Sequence, residues 1–522
     1  MNYKKFLSLL SIIISMNVYP VEYNVSDFGA IADGKTLCTK AIQNAIDKCA
    51  GQGGGRIVIP AGNYYTGTVF LRSFVELHLE QNAQLIGSTN YDDYPDLAKD
   101  RKGLVHCVDI TNAAITGFGT INANGSDSAF QLGDSHVLRP HVVIFNRCKK
   151  MNIQDVSLIN SADWTFRILD CQEVFVRGLK IYSHSNFNND GIDIDGKDII
   201  VSDCNIEATD DGICLKSNQP LKLCENVSIS NCIVASNCNA LKFGTASLSG
   251  FKNISISNCI VKTPAENDLF GYKAHIIPGV SVPVYNNTGI SIEMVDGGSL
   301  EKVTISNITM ENVLTPVFIR LGQRRQSDVK YLKDIIISNI VANGVSHMSS
   351  SITGIPGHCI ENVKISNVII NCNGGGLMDS LSKEVPEQIK MYPENKMFGV
   401  SLPAYGFYLR HVDNIVLENI QVNLQYKDQR HAFWLEDAHN VRLNGITAKD
   451  HTGSQALVRI VDGSNITLSG YDASNPITLF AKISGKQSNR IKLTGNDFST
   501  VKRQYELEPG VNLKSIMSKY NF

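Results

Sequence analysis

Short alternations of apolar and polar residues fill most of the chain, and one phrase, Asn-hydrophobic-x-Ile-Ser-Asn, keeps returning: Asn226-Val-Ser-Ile-Ser-Asn231, Asn253-Ile-Ser-Ile-Ser-Asn258 and Asn362-Val-Lys-Ile-Ser-Asn367. Looser copies begin at Asn152, Glu173, Asp198, Lys302, Asp334, Asn414, Asn440 and Asn465. Their hydrophobic second positions stand mostly 21 to 32 residues apart, and two larger gaps, 49 from Ile254 to Val303 and 52 from Val363 to Ile415, each have room for two coils. The eleven markers therefore predict about thirteen coils. Alternation over a few positions marks a half-buried strand, and Asn, Gly or Ser at the bends tolerates the left-handed backbone a tight corner needs. Units this short cannot carry a full helix at each crossover, and the Leu-x-x-Leu-x-Leu pattern of a leucine-rich horseshoe is absent. The predicted fold is all-β: a right-handed parallel β-helix, a single-stranded solenoid of three short strands per turn.

Before the repeats, Ile42, Ala45, Ile46 and Cys49 keep helical spacing and Gly53-Gly54-Gly55 ends the run, which predicts a short amphipathic helix capping the open end of the stack. The organisation expected is a signal peptide over about residues 1–20, then one β-helix catalytic domain over 21–522 with its cap at about 21–100. Residues 373–404, rich in Gly, Pro and Met, break the repeat and read as a long loop. Met1 to Lys5 followed by the apolar stretch Phe6 to Ile14 has the layout of a secretory leader, too short for a permanent membrane span, so a secreted or periplasmic protein is expected. A formal net charge of -2 without long Lys/Arg runs argues against nucleic-acid binding. The 13 cysteines include Cys204, Cys214, Cys232, Cys238 and Cys259 inside or beside strand patterns, where they read as small buried hydrophobes. No Cys/His spacing suggests zinc, and neither a metal nor a cofactor is expected.

Aligning three consecutive coils by their inward residues brings chemistry together. Asp190-Gly-Ile-Asp-Ile-Asp195, Asp211-Gly-Ile-Cys-Leu-Lys216 and Asn239-Ala-Leu-Lys-Phe-Gly244 superpose with Ile192, Ile213 and Leu241 in one interior column and Ile194, Leu215 and Phe243 in the next. Asp190 and Asp211 then stack at the strand mouth about 4.8 Å apart at the backbone, with Asp210 beside them. Asp193, Cys214 and Lys242 form one outward column, Asp195 and Lys216 another. Carboxylates this close oppose joint ionisation, which suits glycosidic hydrolysis by an acid and a base. A calcium site or a ladder of solvated turn residues fits the spacing as well.

The stretch Asn188-Asn189-Asp190-Gly191-Ile192-Asp193-Ile194 followed by Thr209-Asp210-Asp211-Gly212 resembles the Asn-x-Asp and Asp-Asp motifs of glycoside hydrolase family 28, the polygalacturonases. Asp27-Phe28-Gly29-Ala30 with Asp33-Gly34, Ile59-Pro60-Ala61-Gly62 and Arg139-Pro140 also resemble that family. The resemblance implies an inverting hydrolase of pectic polysaccharide, galacturonan or rhamnogalacturonan, with Asp210 as general acid and Asp190 and Asp211 orienting and deprotonating water. Two departures stand out: Cys238-Asn239-Ala240 replaces the family's Gly-His-Gly, and Ser291-Ile292-Glu293 replaces the Arg-Ile-Lys that grips the substrate carboxylate. Asn239, Lys242 and Arg320 become the candidate substrate-binding residues; the competing expectation is that Arg320 neutralises Glu293 and Lys242 pairs with Asp193. Tyr405, Tyr408, Phe433 and Trp434 are candidate sugar-stacking or packing aromatics, and His184, His358, His411 and His431 are given no catalytic role. A pectate-lyase-like enzyme and a noncatalytic glycan-binding β-helix are the alternative functions; action from a chain end is expected if the 373–404 loop blocks the cleft.

Overall fold

Coil stacking follows directly from the inward ladders. Val174, Ile199, Val227, Ile254, Val303, Ile335, Val363 and Ile415 are register partners one after another in parallel strands, all of them buried. The result is a right-handed parallel β-helix whose core is the continuous apolar interior of the coils. The computed structural model describes residues 21–522 apart from 96–100, 133–135, 137, 265–287, 326–327, 379–380, 382, 450, 452–454 and 474–475. The leader read in residues 1–20 lies outside the described residues.

Corner chemistry explains the recurrent phrase. Glu173, Asp198, Asn226, Asn253, Lys302, Asp334, Asn362, Asn414, Asn440 and Asn465 all have φ between 53° and 60°. The asparagines among them bond from coil to coil, Asn226 to Asp198 at 2.7 Å and Asn253 to Asn226 at 3.0 Å. A second ladder runs Asn258, Asn307, Asn339, Asn367 and Asn419, each amide donating to the one before. Side chains that tolerate left-handed backbone and satisfy each other laterally are what these corners demand.

Two expectations are corrected. The marker placed at Asn152 belongs at Lys150: Lys150 carries the positive φ of 56°, and Met151 pairs with Val174. The two wide gaps each hold one coil with an insertion, since Ile254 pairs directly with Val303 and Val363 directly with Ile415. The eleven markers are therefore eleven consecutive coils, and further coils extend the stack before and after them.

The capping helix spans Thr39–Gly51 and buries Ile42, Ala45, Ile46 and Cys49 over the first coil. All thirteen cysteines are free thiols, eleven of them buried.

The insertion over 373–404 is pinned to the outward face of the late coils. Arg320 donates to the carbonyls of Gly354, Glu387 and Gln388 at 2.9, 2.7 and 3.3 Å, and Arg410 to those of Val385 and Pro386 at 2.6 and 3.0 Å. Beneath it Val385, Met397, Phe398 and Leu402 pack on Phe318 and Tyr408, with Trp434 at the margin. Tyr405, Tyr408 and Phe433 are buried, so these aromatics are packing elements and not an open stacking surface.

Candidate active site

Three coils build the site. Ile192 pairs with Ile213 and Ile213 with Leu241, and the same register extends to the strand mouths, where Gly191 N–H donates to the Asp211 carbonyl and Gly212 N–H to that of Asn239, both at 2.8 Å. Asp190, Asp211 and Asn239 thus occupy one column, as the alignment of inward residues predicts. Glycine is required next to each aspartate because the coils meet there: a Cβ on Gly191 would lie 2.5 Å from the Gly212 carbonyl oxygen, and one on Gly212 would lie 2.7 Å from that of Ala240. Asp193, Cys214, Lys242 and Ser291 form the next outward column.

The loop before Asp190 is held from within. Asn189 donates to the carbonyls of Ser161 and Asp163 at 3.0 and 2.8 Å and accepts from the amides of Ser185 and Asn186. Arg139, fully buried, donates to the carbonyl of Ala162 and to Asn188 Oδ1, at 3.0 and 2.8 Å. These contacts account for the two asparagines that precede the aspartate and for the Arg-Pro pair upstream.

Charge is arranged in two buried clusters. Lys216 lies 3.0 Å from Asp193 and 3.5 Å from Asp190, with its ammonium 4.5 Å from the centre of the Trp164 ring. Burial, with Asp193 and Asp210 nearby, pushes the Asp190 carboxyl well above its ordinary range, and burial pushes Asp193 up to about 6 against the pull of Lys216. In the second cluster Lys242 lies 3.0 Å from Asp211 and 3.6 Å from Glu293. Asp211 also accepts from the Asn239 backbone and side-chain amides at 3.2 and 2.8 Å. Burial alone would raise the Asp211 carboxyl, but Lys242, Lys216 and Asn239 outweigh it and hold it below the ordinary value. Neighbouring carboxylates in one site are thereby driven apart in proton affinity, the condition for separating acid and base roles.

Asp210 is partly open where Asp190 and Asp211 are covered. Its carbonyl accepts from Ser236 Oγ at 2.5 Å, and the same hydroxyl accepts from the Cys238 amide at 3.0 Å.

The structure brings Asp190, Asp210, Asp211, Asn239 and Lys242 together. The pairings differ from those expected: the cation of Asp193 is Lys216, and that of Glu293 is Lys242. Glu293 is fully buried, accepting from Ser291 at 2.7 Å and Thr245 at 2.9 Å, so it is no bare carboxylate facing the groove. Arg320 does stand opposite Glu293 in the register, yet it is fully buried and spends its guanidinium on loop carbonyls. Its place is that of a loop anchor, and the expectation that it neutralises Glu293 or grips substrate is replaced accordingly. Trp164 and Tyr392 were not singled out in the sequence. Trp164 stands one coil before Asp190, and Tyr392, from the insertion, accepts from Thr245 at 3.0 Å and flanks Lys242. An aromatic on the coil preceding an acidic motif was the available signal for the first; nothing local marks the second.

Fold and site together define a parallel β-helix with a buried carboxylate and lysine cluster on consecutive coils. Among known proteins, the family described as Glycosyl hydrolases family 28 matches residues 49–267 of this chain. A probable polygalacturonase of Vitis vinifera is 30% identical over 212 residues, 37% of this chain and 43% of its own length. An exo-poly-alpha-D-galacturonosidase of Dickeya chrysanthemi is 38% identical over 136 residues, 22% of each chain. The chain thus spans less than half the length of these two curated relatives. Among solved structures, a hyperthermoactive exopolygalacturonase from Thermotoga maritima aligns with a TM-score of 0.57 at 20% identity, over 76% of this chain and 91% of that one, a likeness of fold.

Proposed function

We propose that the protein hydrolyses α-glycosidic bonds in pectic polysaccharide with inversion of configuration. The observation that carries the reading is the column of carboxylates on consecutive coils, with Asp210 open to the groove and the enclosed Asp211 held ionised by Lys242, Lys216 and Asn239. Asp210 protonates the departing glycosidic oxygen. Asp211 takes the proton of the attacking water, and Asp190, whose own proton affinity is raised, orients that water. Lys242 stabilises the negative charge of Asp211 before proton transfer, and Trp164 offers an apolar ring face beside the reacting sugar.

Attack from a chain end is part of the proposal. The 373–404 insertion stands over the late coils, anchored by Arg320 and Arg410, where it would close one end of the groove. Export is supported by the leader-like N-terminus, and no helix among the described residues is long and apolar enough to cross a membrane. Replacing Asp210 by Asn removes the transferable proton without altering shape. Release of reducing ends from polygalacturonate should fall by about 10²–10⁴-fold with the melting temperature within a few degrees of the parent. Near-native turnover by Asp210→Asn would reject the assigned acid.

A further inference from the structure

Lys242 lies between two coils and serves a carboxylate on each, Asp211 of the coil before at 3.0 Å and Glu293 of the coil after at 3.6 Å. The first is the proposed base; the second has no part in the chemistry described so far. Glu293 is fully buried, with Ser291 Oγ 2.7 Å from one carboxylate oxygen and Thr245 Oγ1 2.9 Å from the other. Gly244 makes room for it: a Cβ there would lie 2.6 Å from the Glu293 carbonyl oxygen and 3.3 Å from the Glu293 Cβ. An ionised carboxylate persists in such a place only with a cation beside it, and that cation is the one Asp211 relies on.

The insertion completes the arrangement. Thr245 Oγ1 is also 3.0 Å from the Tyr392 hydroxyl, and the centre of the Tyr392 ring lies 5.7 Å from the Lys242 ammonium and 5.6 Å from the Arg324 guanidinium. The titratable and charged side chains that face Glu293 are Lys242 and Asp211 from the two preceding coils, Arg324 from the coil that follows and Tyr392 from the insertion. Arg320, its register neighbour, donates to loop carbonyls instead. Arg324 is engaged bidentately by Asp296, at 2.9 and 2.7 Å, which leaves Lys242 as the cation that Glu293 and Asp211 divide.

We propose that Glu293 is a positioning residue for the base: it draws part of the Lys242 charge away from Asp211, so that Asp211 accepts the proton of water more readily than it would with the cation to itself, and Tyr392, through Thr245, ties this balance to the insertion. The role rests on the hydrolase reading above. Burial raises the Glu293 carboxyl above its ordinary range against the pull of Lys242, whereas Asp211 is held below its own. On acidification the proton therefore goes to Glu293 first, Lys242 then serves Asp211 alone, and the base weakens before it is itself protonated.

The test compares the full chain with Glu293→Gln and Glu293→Asp on polygalacturonate across pH, reading kcat and KM separately. Glu293→Gln keeps the shape and removes the charge; at about pH 7–8 it should lower kcat by about three- to tenfold, as for a base whose pKa drops by about one to two, with KM within about twofold. The gap should close as pH falls and the parent's own Glu293 becomes neutral, and Glu293→Asp, which keeps the charge, should recover most of kcat. No loss, or a loss by the same factor at every pH, overturns the role, because a purely structural residue does not track the proton. The unsubstituted chain gives a second reading that needs neither a variant nor turnover: the carbon-13 resonances of the Asp211 and Glu293 carboxyls should titrate as a coupled pair, each curve showing both steps. Two independent single-step curves overturn the sharing of Lys242. If the unsubstituted chain cleaves polygalacturonate and the pH-dependent gap is missing, Glu293 alone loses its role; if it cleaves none, the hydrolase reading falls and takes the role with it.

Discussion

Asp211 has the most elaborate support of the three carboxylates, and the side chains around it set testable energetics. Asn239 donates twice to its Oδ1, and both bonds favour the ionised form. Asn239→Ala should therefore raise the proton affinity of Asp211. The acidic limb of the kcat/KM profile against pH should move upward, and an unmoved limb would remove Asp211 from the base role. Lys242 is shared by two buried carboxylates, so Lys242→Met leaves both without their cation; denaturant unfolding should show a loss of about 3–5 kcal/mol. At this scale the columns were legible in the sequence, because inward Ile192, Ile213 and Leu241 can occupy only one face of a strand and so dictate what lies outward. The ion pairs were not. A lysine reaches carboxylates on its own column, the next column or the adjoining coil, and register alone does not choose among Asp193, Asp211 and Glu293.

The insertion over 373–404 is held partly by a histidine, so its attachment should depend on pH. His411 lies 2.7 Å from Asp437 and 3.1 Å from Glu387 of the insertion, while Arg410 lies 3.4 Å from Glu387. Burial lowers the proton affinity of His411, but these carboxylates more than offset it and its pKa is raised. A histidine that binds its proton more tightly when folded contributes fully below its unfolded pKa of about 6.5, and that contribution is lost as pH rises through the folded value. Limited proteolysis of the insertion, corrected for the protease's own pH dependence, should accelerate above neutrality, and His411→Gln should flatten the response. A pH-independent cleavage rate in the parent would contradict the latch. The insertion itself was visible in composition, whereas its anchors were not: Arg320 and Arg410 belong to coils distant in sequence, and their partners are backbone carbonyls that no residue pattern reveals. The same limit explains the coil count, since a gap of 52 residues accommodates two coils or one coil with a loop equally well. Likewise Lys150 and Asn152 are both polar, and only the backbone distinguishes the corner from the strand.

For the molecule as a whole, the stack makes the proposed chemistry a matter of register: each coil contributes one side chain per column, and the consecutive coils carrying Asp190, Asp211 and Asn239 bring these side chains to one mouth, with Asp210 beside them. Fold class was readable from periodicity and corner residues, because a solenoid repeats its local chemistry every turn. The direction of chemistry follows from how the carboxylates are supported. In the proposed assignment Asp211 takes the proton of a water oriented by Asp190 while Asp210 protonates the leaving oxygen, so the water would attack the face of the sugar away from that oxygen. Proton NMR of polygalacturonate digestion during the first turnovers reads this outcome directly. The first new reducing end should appear as the saturated β-anomer and only later equilibrate to α; an α-anomer appearing first, or an unsaturated uronate, would contradict the inverting assignment.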